Sequence, residues 1–221
     1  MEFSFFEKNE YDVNNFIIYN ENIEAFYYLN QDLENINYST IFLTGAKKSG
    51  KTYISKIWKQ KHNAKYVDYS VFCTGSFEKF VEEMANKIEV FDCYLIDDFG
   101  NDFKEDRLLF LLNYVAERHS KLLIVSNFEF NKIKIRLKDL KSRINSSIFL
   151  KIKKLPKEIK PMFILKLFND RKVPISSGVL KLLLQKLPND YEKIYDFIRT
   201  VCQNTKESGE KLTLEYVKKL L

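Results

Sequence analysis

Short apolar runs alternate with amphipathic stretches over the first 155 residues of the chain. Five runs are typical of buried strands, and the stretches between them have the three-to-four-residue apolar spacing of helices. The expected strands are IFLT (41–44), KYVDYS (65–70), FDCYLIDDFG (91–100), KLLIVSN (121–127) and SSIFLKIKKL (146–155). Strands that alternate with helices at this spacing predict an α/β fold with a five-stranded parallel sheet covered on both faces.

The pattern changes after Pro156, because only helical spacing remains beyond it. Helices are expected over 157–170, 176–187, 191–204 and from residue 213 onward. Pro161 falls in the first turns of the first of these helices, where proline is tolerated. The sequence therefore predicts an α/β domain at 11–155 and a small all-helical domain at 156–221, preceded by a separate segment at 1–10.

The distribution of charge is more informative than its net value of +6. Residues 131–160 hold eleven basic side chains against two acidic ones, Asp139 and Glu158. This asymmetry is typical of a surface that binds a partner or nucleic acid, but more often of a basic face that is only solvated, so both interpretations stay open.

Two observations bear on the compartment. No stretch approaches the ~20 apolar residues that a membrane-spanning helix needs. The cysteines, Cys73, Cys93 and Cys202, are widely spaced and lack the spacing of a metal site. They are typical of reduced thiols, so we expect a cytoplasmic protein without a membrane partner.

GAKKSGKT, residues 45–52, fits the phosphate-binding pattern G-x-x-x-x-G-K-[ST] and lies between a predicted strand and a predicted helix. The two glycines allow consecutive backbone N–H groups to face one anion at the start of the helix. Lys51 supplies a cation to the β- and γ-phosphates, and the Thr52 hydroxyl supplies a magnesium ligand. The predicted nucleotide contacts are Gly45, Ala46, Lys47, Lys48, Ser49, Gly50, Lys51, Thr52 and Tyr53.

Acidic and polar side chains follow two other predicted strands. YLIDD places Asp97 where it can hold magnesium, directly or through water, and Asp98 where it can orient an attacking water. The alternative for Asp98 is an exposed acid at a strand end. LLIVSN delivers Ser126 and Asn127, which we expect near the γ-phosphate.

The order of these motifs, followed by DLKSRI, a last strand and an all-helical tail, resembles the AAA+ proteins of the DnaA type. The resemblance covers nearly the whole chain and implies adenine nucleotide (ADP or ATP) with Mg²⁺. It places NNFIIYNENIEAF (14–26) in the segment whose backbone contacts adenine, which implies roles for Ile17, Ile18 and Asn22. It also implies that Arg143 is an arginine finger and that 156–221 is a lid domain.

Within this family the chain is most similar to the regulatory inactivators of DnaA, the Hda proteins. The chain stops at Leu221, so we expect it to lack the DNA-reading domain of DnaA. The opening EFSFF resembles the peptide by which such proteins bind the replication sliding clamp, and this resemblance implies docking roles for Glu2, Phe3, Phe5 and Phe6. The alternative is that these rings pack in the core.

Proteins of this family carry a lid arginine that contacts the phosphates, and the resemblance implies that Glu192 stands at its position in this chain, with Lys193 beside it. Because a glutamate repels phosphate, we expect weak ATP hydrolysis by the isolated protein. The expected partners are DnaA and the sliding clamp, with a weak contact to DNA, and self-association stays open.

The main alternative is a helicase loader or DNA-remodelling ATPase that uses residues 131–160 to bind single strands. A small-molecule phosphotransferase is disfavoured, because Arg171 and Arg199 are the only arginines after Pro156.

Overall fold

A computed structural model describes residues 11–87, 91–208 and 212–221. The predicted clamp-docking residues Glu2, Phe3, Phe5 and Phe6 lie outside this range. The described residues form two compact units. The first comprises the residues up to Gly45 together with Gly50–Ile152, and the second comprises Ala46–Ser49 together with the residues from Lys153 onward.

The first unit is built on a parallel sheet of five strands. In chain order these are β1 (Thr40–Gly45), β2 (Lys65–Tyr66), β3 (Cys93–Phe99), β4 (Lys121–Ser126) and β5 (Ile148–Ile152). Their order in the sheet is β2-β3-β4-β1-β5, so β1 lies between β4 and β5. The carboxyl ends of β1, β3 and β4 therefore meet at one edge, and the predicted fold class is confirmed.

Nine α-helices lie within the described residues. They are α1 (Ile23–Leu29), α2 (Lys51–Lys61), α3 (Phe77–Lys87), α4 (Glu105–Glu117), α5 (Lys138–Asn145), α6 (Lys160–Asp170), α7 (Ser177–Lys186), α8 (Tyr191–Ser208) and α9 (Leu214–Leu220). None of the helices in the described part of the chain combines the length and the apolar character needed to cross a membrane.

Alternate residues of the central strands enter two separate cores. On one face, Ile41 and Leu43 pack with α1 and α2 in a cluster that includes Phe26 and Trp58. On the other face, Phe42 packs with α3, α4 and α5. Both faces are covered because right-handed crossovers place helices on each side of a parallel sheet.

The second predicted strand, KYVDYS, is much shorter than expected. Only Lys65 and Tyr66 pair with β3, and the chain then enters a 3₁₀ turn at Tyr69–Phe72. The Asp68 carboxylate accepts a hydrogen bond of 2.7 Å from the Ser70 N–H. Aspartate that bonds the backbone two residues ahead favours a turn over a strand, which explains the early end of β2. β5 likewise ends at Ile152, before the predicted residue 155.

The second unit contains helices α6 to α9. Pro161 lies in the first turn of α6, as predicted. The buried Lys160 ammonium donates hydrogen bonds to the Leu184 carbonyl oxygen at 2.8 Å and the Leu187 carbonyl oxygen at 2.5 Å, at the end of α7. It thereby satisfies carbonyl groups that have no partner inside the helix.

Candidate nucleotide-binding site

The loop after β1 turns sharply into α2 at Gly50. Gly50 has φ +101°, a left-handed conformation that favours glycine. A Cβ atom at this position would lie 2.9 Å from Cε2 of Phe16, so the site also has no room for a side chain. α2 begins immediately afterwards at Lys51, which places the start of a helix at the end of the loop.

Lys51 is 5% exposed and connects the loop to β4. Its ammonium donates to the Gly45 carbonyl oxygen at 2.9 Å and to Oδ1 of Asn127 at 2.8 Å. Burial lowers the pKa of Lys51 to about 8, and the nearby carboxylates of Asp98 and Asp97 oppose that shift. The structure therefore brings four predicted site residues together around one buried cation.

Thr52 and Asp97 form the second pair in the site. Burial raises the pKa of Asp97, and the Thr52 hydroxyl lies close enough to the carboxylate to oppose that shift. Hydroxyl and carboxylate oxygens are the hard ligands that Mg²⁺ prefers, with water completing its shell. The donor set thus fits the predicted metal, which Thr52 and Asp97 would hold.

Asp98 lies in a β-bulge of β3. Ile96 pairs with Ile124 and Phe99 with Ser126, so β3 carries one extra residue relative to β4. Asp98 itself has φ +53°, and its N–H donates to Oδ1 of Asp97 at 2.9 Å. Bulges beside active sites redirect a side chain, and aspartate tolerates the left-handed region better than most residues. The exposed Asp98 carboxylate is close enough to Lys51 to affect its pKa.

The two polar residues at the end of β4 have different environments. Ser126 is 1% exposed, and its hydroxyl donates to the Phe128 carbonyl oxygen at 2.6 Å. Asn127 is exposed and contacts Lys51. Of the predicted pair, Asn127 is therefore the residue whose side chain belongs to the site.

The segment predicted to contact adenine is held by a buried asparagine. Asn22 is 1% exposed; its Oδ1 accepts from the Tyr19 N–H at 2.9 Å and its Nδ2 donates to the Ile17 carbonyl oxygen at 2.9 Å. The acceptor and the donor of its amide are therefore both bonded to the backbone of this segment. Ile18 is 38% exposed despite being apolar.

Two aromatic residues join the residues before β1 to the P-loop and α2, and the sequence indicated a role for only one of them. The hydroxyl of Tyr53, a predicted nucleotide contact, donates to the Asp12 carbonyl oxygen at 3.0 Å. Phe16, which had no predicted role, stacks on Phe26 with ring centroids 5.5 Å apart and closes over Gly50. Its position in the NNFIIYN motif is the signal that could have indicated it.

Ala46–Ser49, the tip of the loop, belongs to the second unit and contacts α8. The Lys47 ammonium lies 3.6 Å from the Glu192 carboxylate, and the Lys48 ammonium lies 4.6 Å from the centroid of the Tyr195 ring. Glu192 thus forms an ion pair with a P-loop lysine, an arrangement that the sequence did not indicate. The Ser49 hydroxyl is buried and forms no hydrogen bond with the described residues.

Arg143 lies apart from these groups on α5. Its side chain is exposed and forms no hydrogen bond or ion pair with another residue in the described part of the chain. Its carbonyl oxygen accepts from the hydroxyls of Ser146 and Ser147, both at 2.9 Å, where the helix ends. The helix end is therefore fixed, and the guanidinium of Arg143 extends into solvent.

Searches with family models and against curated proteins found no match to this chain. Solved structures do match it. Domain III of the DnaA replication initiation protein from Thermotoga maritima has a TM-score of 0.73 and 17% identity, over 97% of this chain and 96% of that one. AMPPCP-bound DnaA from Aquifex aeolicus has a TM-score of 0.66 and 20% identity, over 92% and 70%.

A third similar structure is the RuvB Holliday junction branch migration motor from Thermotoga maritima. It has a TM-score of 0.60 and 14% identity, over 82% of this chain and 60% of that one. At these identities the comparisons establish the fold. The chain has a P-loop AAA+ fold like that of DnaA, with a parallel α/β core and a helical part.

Proposed function

We propose that this protein is an adenine-nucleotide-binding AAA+ adaptor of the Hda type, which stimulates ATP hydrolysis by the initiator DnaA. The observation that carries the proposal is the cluster around Lys51, in which Asp97 and Asn127, at the carboxyl ends of adjacent strands, lie near Lys51 and Thr52 at the start of α2. Buried cations and carboxylates at this edge of a parallel sheet are typical of a ligand site.

Three features of the loop fit a nucleotide. Gly50 turns the loop into the start of α2 with a φ of +101°, the Ser49 hydroxyl is buried without a hydrogen-bond partner among the described residues, and Lys51 supplies a buried positive charge. Buried polar groups without a hydrogen-bond partner are rare in native proteins, and a phosphate oxygen would accept a hydrogen bond from the Ser49 hydroxyl. The nucleotide of the Aquifex aeolicus DnaA neighbour, AMPPCP, supports adenine as the base.

The adaptor role rests on Arg143. A guanidinium that extends into solvent from a fixed helix end can reach a phosphate on another molecule. There it would stabilise the transition state of phosphoryl transfer, an effect of ~10³–10⁵ in rate for arginine fingers. We propose that DnaA-bound ATP is its target and that Glu2, Phe3, Phe5 and Phe6 bring the protein to the sliding clamp.

The decisive experiment measures turnover of DnaA-bound ATP with and without this protein and DNA-loaded clamp. We expect stimulation by the wild-type protein and at least a ~10³-fold smaller stimulation by Arg143→Ala, because the transition-state contact is lost. Arg136→Ala is the matched control, since Arg136 is also exposed and lies in the same basic stretch. An equal loss of stimulation in both variants would show that only the positive charge of the basic stretch matters, and it would contradict the arginine-finger role.

Nucleotide binding is tested separately. Isothermal titration with Mg-ADP should show binding that Lys51→Ala abolishes and that Lys181→Ala, an exposed lysine of α7, leaves unchanged. Binding that is the same in both variants would remove the basis of the proposal.

A DNA-remodelling ATPase is the second candidate, because part of the basic stretch is available to a polyanion. Lys132 and Lys151 pair with Glu129, and Lys160 is buried. By contrast, the exposed side chains of this stretch that form no ion pair with the described residues include Lys134, Arg136, Lys138 and Lys141. Strong, salt-dependent binding of single-stranded DNA that is lost when these four are neutralised would favour this candidate.

A further inference from the structure

A second cavity, of about 300 Å³, lies at the β2 side of the sheet, and we call it the edge pocket. Its polar and aromatic lining comes from Tyr11, Lys56, Lys59, Gln60, Tyr66 and Asp97. All of these residues belong to the first unit. Among them only Asp97 is also a predicted ligand of the P-loop site.

The fold explains why a cavity forms here. β2 is the outermost strand and consists of two residues, so no described strand covers its outer side. Tyr66 is fixed by pairing with Leu95, and Leu95 is buried in the core. The second half of α2 provides the lysines and the glutamine. The pocket is therefore formed by elements whose positions other contacts already determine.

The lining carries more positive than negative charge. The Lys56 ammonium donates to the Tyr11 hydroxyl at 2.6 Å, which uses one of its three donors and leaves two. Lys59 is exposed, and its ammonium forms no hydrogen bond or ion pair with another residue in the described ranges. Two ammonium groups against the single carboxylate of Asp97 favour a ligand with a negative charge.

The same pocket presents aromatic surface. Tyr66 is 48% exposed, and Tyr11 is held by Lys56, whose ammonium also lies 4.6 Å from the Tyr11 ring centroid. Burial raises the pKa of Tyr66, and the neighbouring carboxylates of Asp97, Asp68 and Asp98 raise it further, against an opposing effect of Lys56. The exposed face of the Tyr66 ring can stack on a flat ligand.

We propose that the edge pocket binds a nucleoside monophosphate unit, with its base on the tyrosine rings and its phosphate on Lys56 and Lys59. A cavity of this size is at the lower end of small-molecule sites and holds one nucleotide rather than a dinucleotide. The Gln60 amide can bond the edge of the base, and Asp97 can accept from a sugar hydroxyl. The unit could be a free mononucleotide or the phosphorylated 5′ end of a strand, since both present the same groups.

The test titrates thymidine 5′-monophosphate, which lacks adenine, into protein saturated with Mg-ADP. We expect saturable binding by isothermal titration, and about a tenfold or larger loss of affinity in Lys59→Ala and in Tyr66→Leu. Lys181→Ala serves as the control and should bind like the wild type. Melting curves of all variants establish that each one is folded.

Titration of the Lys51→Ala variant without ADP distinguishes binding at the edge pocket from binding at the P-loop. Retained thymidine monophosphate binding in this variant supports the edge pocket whether or not the proposed ADP binding is observed. No saturable binding to the wild type would overturn the proposal, as would binding that Lys51→Ala abolishes and Lys59→Ala leaves unchanged.

A competition experiment distinguishes the two sources of the ligand. A 5′-phosphorylated tetrathymidylate that displaces thymidine monophosphate, while its unphosphorylated form does not, assigns the pocket to strand ends. Failure of both to displace it assigns the pocket to free mononucleotides, and either result supports the chemistry proposed. Displacement by both forms alike would show that the phosphate is not recognised and would contradict it.

Discussion

Gly50 is constrained in two ways at once. Its φ of +101° costs any other residue backbone strain, and a Cβ at this position would lie only 2.9 Å from the ring of Phe16. Gly75 has a similar φ of +80°, but nothing lies within 4 Å of the place for its Cβ. The two glycines therefore separate the effect of the backbone from that of the neighbouring ring.

The first prediction compares Gly50→Ala with Gly75→Ala. Each should lower the free energy of unfolding by ~1–2 kcal/mol, because alanine must adopt a left-handed conformation. Gly50→Ala should lower it further and also weaken Mg-ADP binding, because Phe16 has to move. Denaturant unfolding and isothermal titration measure the two effects. Equal losses of stability with unchanged ADP binding would contradict the role given to Phe16.

At this scale the sequence indicated candidate residues but not their contacts. Lys51, Thr52 and Asp97 could be chosen because their motifs fix both residue type and position along the chain. Asn22 was assigned to the adenine segment, but only the structure shows that its amide is used by the backbone at Tyr19 and Ile17. Such contacts depend on how a loop folds back, which no local pattern encodes.

At the scale of elements, hydrophobic periodicity predicted all five strands but not their irregularities. The bulge in β3 follows from pairing with β4, and a run such as IDD does not indicate it. The early end of β2 depends on one side chain, Asp68, that competes for backbone hydrogen bonds. Strands are specified by many residues together, whereas their ends depend on one or two.

The second prediction concerns the bulge. Asp98→Asn should leave stability nearly unchanged because asparagine tolerates the left-handed conformation, whereas Asp98→Ala should cost ~1 kcal/mol. We expect ATP turnover by the isolated parent protein to be slow, and both variants should lower it further if Asp98 orients water. Denaturant unfolding and a phosphate-release assay test this. Fast turnover by the parent that Asp98→Asn abolishes would instead favour the DNA-remodelling ATPase.

At the scale of the whole molecule, the alternation of strands and helices predicted the parallel α/β core, and the resemblance in the order of the motifs added the AAA+ assignment. The matched DnaA domain shares this fold over 97% of the chain at only 17% identity. A sheet order and a pattern of burial can be maintained by many sequences, because a core needs apolar residues of suitable size rather than particular ones. The choice of partner depends on a few surface residues, so a shared fold does not determine which partner a protein binds.

The third prediction tests the opening phenylalanines. Phe5→Ala combined with Phe6→Ala should abolish binding to the sliding clamp and leave the melting temperature nearly unchanged, because a docking peptide depends on a few apolar anchors. A pull-down and a melting curve measure the two results. Glu2→Gln should tighten the interaction by restoring an amide at the first position of the peptide.

The opposite outcome is equally clear. If the rings pack in the core, each truncation should cost ~3–5 kcal/mol and lower the melting temperature steeply. Together with no clamp binding by the parent protein, that result would remove the docking role.

The strand order also has a consequence for synthesis on the ribosome. β1 leads into the P-loop, yet Thr40 pairs with Leu122 and Ile41 with Ile148. Since the chain emerges from its N-terminus at ~5–20 residues per second, β1 waits several seconds for either neighbour. During that time its apolar residues are open to chaperones, and the loop lacks the contact between Lys51 and Asn127 that the folded protein has. A nucleotide bound as proposed would therefore assist only the late steps of folding.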